Sequence, residues 1–550
     1  MKSLLPRPGL SWSTSALPGF VLAILTAAPI LVLASSIFQP LPDLWEHLGR
    51  YVLMPALSKT VQLTLGVCLG TFVIGTLLAS LTGLTEFPGR NFFDRALILP
   101  LAMPAYVFAF IYVGSLEYSG PAAVFLRSAG LDLSTLLPIR SFGGVVAVMS
   151  LAFYPYVYLT VRQCFLSQSQ SIVESARVLG ISGAGLFFKV LLPAARPWIA
   201  GGVGLTAMET VADFGTVSVF NYDTLTSAIY KAWFGFFSLT GAAQISTMLF
   251  SGVLLLILLE KSFGRGARFW LSGKKSVPLQ KIRLRGAAAF SAFGVCSLVF
   301  LLGFCLPVIQ LILWSLRHLS QDFDSRYWTY FGRTAAVSAS AAILITLAGL
   351  ALAYSARRHR SLGMRFLVST ATLGYAVPGA VLAVGVVIVC AHFDRALSAL
   401  IGGVLSSQPL MTQSVLLMQL AYLVRFLRVS FAPLESAMER LPVRYDETAR
   451  ILGMSGKSIL AQIHIPLLKS GLLTSAVLVF VEVMKELPMT LMTRPFGWET
   501  LAVRIFEMTS EGEWERAALP SLVLVFCGLL PLLLLPKDRP DGANLPEALR

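Results

Sequence analysis

A chain of 550 residues that is 56% hydrophobic and only 13% charged, with mean hydropathy +0.75, carries far more apolar residue than a soluble core can bury. Soluble globular and disordered classes are thereby excluded. The net charge of +15 would suit a nucleic-acid partner, but the Lys and Arg residues gather in short polar segments between apolar runs, a distribution that membrane topology explains without nucleic acid.

Crossing the hydrocarbon takes about 20 mostly apolar residues per helix. Runs of that kind lie near 18–38, 60–82, 96–115, 142–161, 197–219 and 241–259, and again near 288–315, 334–355, 367–391, 412–427, 469–492 and 518–535. Without water to satisfy backbone groups, such runs are helical. The expected fold is therefore an all-α polytopic membrane protein with twelve transmembrane helices in two homologous six-helix halves. These are residues 1–264 and 287–550, joined by a basic linker, 265–286, holding Arg265, Arg268, Lys274, Lys275, Lys281, Arg283 and Arg285. The first run follows Lys2 and Arg7 as a secretory signal would, but exceeds the usual apolar core of about 7–15 residues, so it reads as an uncleaved helix. Placing both termini in the cytoplasm puts most basic residues inside and leaves Glu499, Glu507, Glu511, Glu513 and Glu515 in an outer segment.

The chain repeats one passage. Residues 174–193 read ESARVLGISGAGLFFKVLLP and residues 447–466 read ETARILGMSGKSILAQIHIP. Further matches at Thr60/Thr334, Pro104/Pro378, Glu209/Glu482, Asp213/Glu486 and Thr226/Thr500 extend the repeat over nearly the whole chain, the pattern of a fused duplication. Pairing Arg162 with Arg428 leaves extra residues ahead of the second passage, which predicts a local break in symmetry there. In each passage a short helix should end at a left-handed glycine, Gly180 or Gly453. Ser182 or Ser455 should cap a second helix, and Pro193 or Pro466 should sit near the start of the next span. Under the expected topology both passages lie in cytoplasmic loops. Surface Glu and Arg duplicated at fixed spacing favour two equivalent partner sites over a mere folded connector.

Glu-x-Ala, three residues, Gly, then Leu-Pro or Ile-Pro resembles the coupling-loop motif of binding-protein-dependent ABC importer permeases. The resemblance implies that Glu174, Ala176, Arg177, Gly180 and Pro193, with Glu447, Ala449, Arg450, Gly453 and Pro466, dock on a cytoplasmic ABC ATPase homodimer. ATP and Mg would then belong to that partner, and this chain would be a transport subunit without enzymatic activity or cofactor of its own. Gly456-Lys457-Ser458 ends like a phosphate-binding loop, but Ile451 stands where that loop needs glycine. Two fused halves narrow the resemblance to the ferric iron, thiamine and phosphonate-type permeases, and segments 208–233 and 481–508 look most like the ferric iron group. This implies a bacterial inner-membrane protein taking ferric iron from a periplasmic binding protein, with thiamine or another small solute as the alternative. A secondary transporter built of repeats is the other class, but it needs no ATPase-docking surface.

Ionisable residues at membrane depth are costly and face a pathway or a partner. Glu209 and Asp213 are spaced for one helical face of the fifth span, and Glu482 and Glu486 occupy the same places in the eleventh. Hard oxygen ligands suit a trivalent cation. The competing reading is helix packing, with Lys485 as counter-charge. His47, His318, His359, His392 and His464 lack ligand spacing, the six cysteines read as packing residues, and Pro104 and Pro378 mark kinks or mobile points in their spans.

Overall fold

The computed structural model describes residues 16–39, 45, 48–130, 138–264, 279–359, 361–400 and 410–534. Both terminal segments and linker residues 265–278 lie outside them. Among the described residues nine helices are long and apolar enough to cross a membrane, or eleven if two sharply bent pairs each count as one span.

The first copy of the repeat contains α1 (Leu17–Ser35), α2 (Met54–Leu84), α3 (Ala105–Leu116), α4 (Phe142–Ser167), α5 (Gln170–Val178), α6 (Arg196–Ala212) and α7 (Leu239–Gly264). The second contains α8 (Ala287–Phe300), α9 (Leu306–Asp322), α10 (Ser325–Arg358), α11 (Gly379–Leu400), α12 (Val415–Glu439), α13 (Val443–Ile451), α14 (Lys469–Met484) and α15 (Ala518–Leu534). Small residues set the closest helix pairs. A Cβ on Gly75 of α2 would lie 2.9 Å from the Tyr158 amide nitrogen of α4, and Gly66 and Gly70 meet Val146 and Ser150 in the same way. Such glycines let membrane helices gain dispersion contacts that lipid would otherwise supply. The opposite face of α2 exposes Leu65, Leu69 and Val73 as a stripe suited to acyl chains.

Four of the expected continuous spans are interrupted. Residues 96–115 resolve into a 3-10 turn, Leu99–Ala102, and α3; residues 367–391 resolve into a helix Leu362–Ala371, a second 3-10 turn Leu373–Ala376, and α11. Pro104 and Pro378 do not kink helices. Each stands just before a helix start, where its missing N–H costs nothing. The remaining two interruptions, after Ala212 and after Met484, follow from the carboxylates described below.

The first helix of each copy packs against the other copy. Helix α1 lies on α10, α11 and Leu362–Ala371, where the Thr26 hydroxyl donates to the Ala371 carbonyl at 3.1 Å. The continuous pair α8–α9 lies against α3 and the segment Arg90–Ala96, with Trp314 stacked on Phe110. The chain is therefore interlocked, and neither copy covers its own apolar face alone. After the undescribed stretch, linker residues Ile282–Arg283 form a short parallel pair with Thr85–Glu86, and Lys281 reaches the Glu86 carboxylate at 3.5 Å.

Helices α4 and α12 correct the pairing of Arg162 with Arg428. They have 26 and 25 residues, each is N-capped by a serine (Ser141, Ser414), and the two caps precede their repeated passages by the same interval. There is no extra segment before the second passage. Arg162 matches Glu435 in this register, and the coincidence of two arginines misled the alignment.

Equivalent threonines clamp both copies. Thr60 Oγ1 accepts from the Leu225 amide at 3.0 Å, and Thr334 Oγ1 accepts from the Leu501 amide at 2.9 Å, both buried. Each amide opens a short helix and has no intrahelical acceptor. Thr60→Val or Thr334→Val should cost about 1–3 kcal/mol by orphaning a buried donor. Thermal unfolding in detergent checks this, and an unchanged midpoint would refute it.

Candidate coupling loops and a carboxylate cavity

Each repeated passage folds as a short helix, a left-handed stop and a second helical segment that bends into a membrane helix. In the first, Gly180 has φ +75°, the Ile181 amide donates to the Ala176 carbonyl at 2.9 Å, and the Gly180 amide donates to Arg177. Gly453 at φ +78° repeats this, with the Met454 amide on Ala449 and the Gly453 amide on Arg450. These bonds satisfy the last carbonyls of α5 and α13, which is why glycine is needed at that point. Ser455 accepts from the Ser458 amide as a cap, whereas Ser182 makes no cap bond because Gly183 is itself left-handed. Pro193 and Pro466 fall in the last turn before bends of 64° and 77° that lead into α6 and α14.

The faces of α5 and α13 are sorted alike. Ala176 and Ala449 are buried against the membrane helices, while Glu174, Arg177, Glu447 and Arg450 face outward. Sequence reasoning missed the neighbours of those charges. Val178 and Leu179 are 88% and 77% exposed, and Ile451 and Leu452 are 86% and 75% exposed. Two large apolar side chains projecting from a polar loop, at the same place in both copies, form a surface whose burial needs a partner. Their signal was the aliphatic pair before each glycine.

The four membrane carboxylates converge on one cavity of about 160 Å³ between the copies, but not from two helical faces. Only Glu209 and Glu482 lie within α6 and α14. Asp213 follows the end of α6, where its carboxylate accepts from the Thr216 amide at 2.9 Å, the Val217 amide at 3.2 Å and the Thr216 hydroxyl at 2.9 Å. Glu486 likewise lies past α14 and accepts from the Met489 amide at 3.0 Å. These two residues cap the next short helices, Gly215–Val219 and Pro488–Thr493, so the span breaks where a side chain offers amides a better acceptor than the helix does.

Two cations share the cavity, and both come from the second copy. Lys485 Nζ lies 2.8 Å from Glu482 Oε1, and Arg425 donates to the Val377 carbonyl at 2.9 Å. In the helix-matched register Arg425 replaces Ala152, and Lys485 replaces Ala212, all four lining the same cavity. Gly379 makes room for the charges, since a Cβ there would lie 2.6 Å from Glu486 Oε1 and 3.2 Å from Arg425 Nη1. Arg425 was missed because it stands two residues from the end of the expected span 412–427, where a basic residue is ordinary. Four carboxyl groups against two cations give the cavity an oxygen-rich lining, the hard-donor chemistry that suits a metal cation.

The sequence family of binding-protein-dependent transport system inner membrane components matches residues 73–268 and again 345–536, once in each copy. This chain belongs to that family. The permease is 28% identical over 498 residues to the Fe(3+)-transport system permease protein FbpB 2 of Haemophilus influenzae, covering 90% of this chain and 91% of the relative. It is also 29% identical over 196 residues to the sulfate transport system permease protein CysW of Escherichia coli K12, covering 36% of this chain and 66% of that one. A probable molybdenum ABC transporter permease of Haloferax volcanii is 28% identical over 219 residues, covering 39% and 77%. The permease is thus a fused, multi-pass membrane component of an ABC import system of a kind that works with a binding protein.

Proposed function

We propose that this permease translocates ferric iron delivered by a periplasmic binding protein, driven by a separate cytoplasmic ATPase homodimer that binds ATP and Mg. The oxygen-rich lining of the central cavity carries the substrate reading. Relatives whose names refer to sulfate and molybdenum resemble only part of the chain, and sulfate, an oxyanion, would meet four carboxyl groups here. The relative named for Fe(3+) transport matches nearly end to end. Glu209 and Glu482 would offer a passing cation weak oxygen sites from opposite copies, loose enough to release it.

The coupling reading rests on the outward Glu and Arg of α5 and α13 and on their exposed aliphatic tips, which would fill one cleft on each ATPase subunit. Closing of the ATPase dimer would move both loops, and the bends behind Pro193 and Pro466 would carry that motion into α6 and α14, which bear the cavity carboxylates. Uptake of radiolabelled ferric iron, sulfate, molybdate and thiamine by cells lacking the chain, with and without its restoration, tests the substrate. Restored uptake of iron alone is expected, and restored uptake of an oxyanion instead would reject the assignment.

The proposal implies that the repeated loops and both termini face the cytoplasm. Lys457→Cys should react with a membrane-impermeant maleimide only in inside-out vesicles, and the fully exposed Phe496→Cys only in intact spheroplasts. The reverse pattern would invert the map.

A further inference from the structure

The two loops are anchored by different chemistry at equivalent positions. Helices α5 and α13 have nine residues each, so Val173 in the first matches Asp446 in the second. The π-helical turns that follow end at Leu191 and His464, and the membrane helices above end with Gly83 and Arg357 as their penultimate residues. In the first copy Val173 and Leu191 are 4% and 5% exposed and belong to one apolar cluster. Gly83 there lets Phe165 approach, since a Cβ would lie 3.2 Å from the Phe165 Cβ.

In the second copy the same three places form a buried polar triad. Arg357 Nε donates to Asp446 Oδ2 at 2.8 Å, and His464 Nε2 lies 2.6 Å from Asp446 Oδ1. Arg357 also holds the Met438 and Leu441 carbonyls at 2.6 and 3.1 Å, which fastens the end of α12. The side chains of Arg357, Asp446 and His464 are 9%, 14% and 2% exposed. Burial works against the Asp446 charge, but the hydrogen bonds and charges of Arg357 and His464 prevail and hold this carboxyl below the ordinary aspartate value.

We propose that Asp446 is a positioning residue that ties the second docking helix to α10, α12 and the base of α14, making the second loop a directional lever while the first works through apolar contact. This builds on the coupling reading above. Apolar contact is non-directional and tolerates sliding, whereas a carboxylate held by a guanidinium fork and an imidazole fixes distance and angle together. Asp446 lines one pocket with Glu447 and Arg450, but its own carboxylate is engaged inside the chain by Arg357 and His464 and is 14% exposed. Its loss should therefore spare ATPase docking and act on transmission.

The test uses the complete complex of permease, ATPase and iron-loaded binding protein in proteoliposomes, scoring ATPase co-purification, ATP hydrolysis and iron transported per ATP. Asp446→Asn leaves Arg357 with an uncompensated buried charge and should lower iron per ATP about tenfold at unchanged ATPase content. The first-copy control Val173→Ala should lower it far less. Arg357→Gly with Asp446→Val and His464→Leu puts the first copy's residue types at all three places, leaves no buried charge unpaired, and should assemble with a ratio still lowered, because apolar contact does not fix the angle. An unchanged ratio in Asp446→Asn overturns the proposal. If that variant fails to assemble, the triple variant decides: assembly with a lowered ratio upholds the positioning role, and assembly with a normal ratio rejects it. Glu174→Ala with Glu447→Ala retaining full ATPase binding and transport would instead sink the coupling reading itself, whatever Asp446 does.

Discussion

The double variant Gly180→Val, Gly453→Val should lose transport almost completely while reaching the membrane at the normal level. Both glycines sit in the left-handed region, at φ +75° and +78°, and a Cβ at either would meet nothing within 4 Å. The penalty is therefore conformational and not steric. A β-branched residue in that region costs about 1–2 kcal/mol or more at each site. The loop avoids that cost by unwinding, which frees the carbonyls of Ala176 and Ala449 and swings the exposed Val178, Leu179, Ile451 and Leu452 out of register with a partner. Asparagine tolerates the left-handed region, so Gly180→Asn with Gly453→Asn should retain much of the activity. Uptake together with ATPase co-purification measures both variants. Normal transport with ATPase bound in the valine variant would rule out docking through these turns.

Glu209→Gln with Glu482→Gln should cut iron uptake by about tenfold or more, since a neutral amide loses most of its attraction for a multivalent cation in a low-dielectric cavity. Protein level and ATPase association should stay unchanged, because among the described residues neither carboxylate caps a helix. Glu482→Gln also releases Lys485 from its 2.8 Å ion pair, and the double variant leaves two carboxyl groups, Asp213 and Glu486, against the two cations. Asp213→Asn should behave differently. Its carboxylate holds two amides and a hydroxyl, so replacement should lower folded protein before it lowers specific transport. Unimpaired uptake in the double glutamine variant would reduce Glu209 and Glu482 to packing partners, and loss of folded protein would do the same.

The sequence alone determined whatever depends on composition and short-range rules. Apolar runs long enough to span lipid fixed the class, and the duplicated passage fixed the helix, glycine stop and second helix of each loop, because a left-handed turn or a serine cap involves neighbours within a few residues. Sequence spacing also picked out Glu209, Asp213, Glu482 and Glu486, since a charge in an apolar run is conspicuous. Tertiary structure decided the rest. Spans five and eleven break because the Asp213 and Glu486 side chains compete for backbone amides, a contest that helical spacing does not register. Arg425 enters the cavity, and Asp446 meets Arg357 and His464, only when helices far apart in the chain pack together. The Arg162/Arg428 pairing failed for the same reason: identity of residue type is weaker than register, and register along α4 and α12 is set by the helix caps and packing that the folded chain supplies.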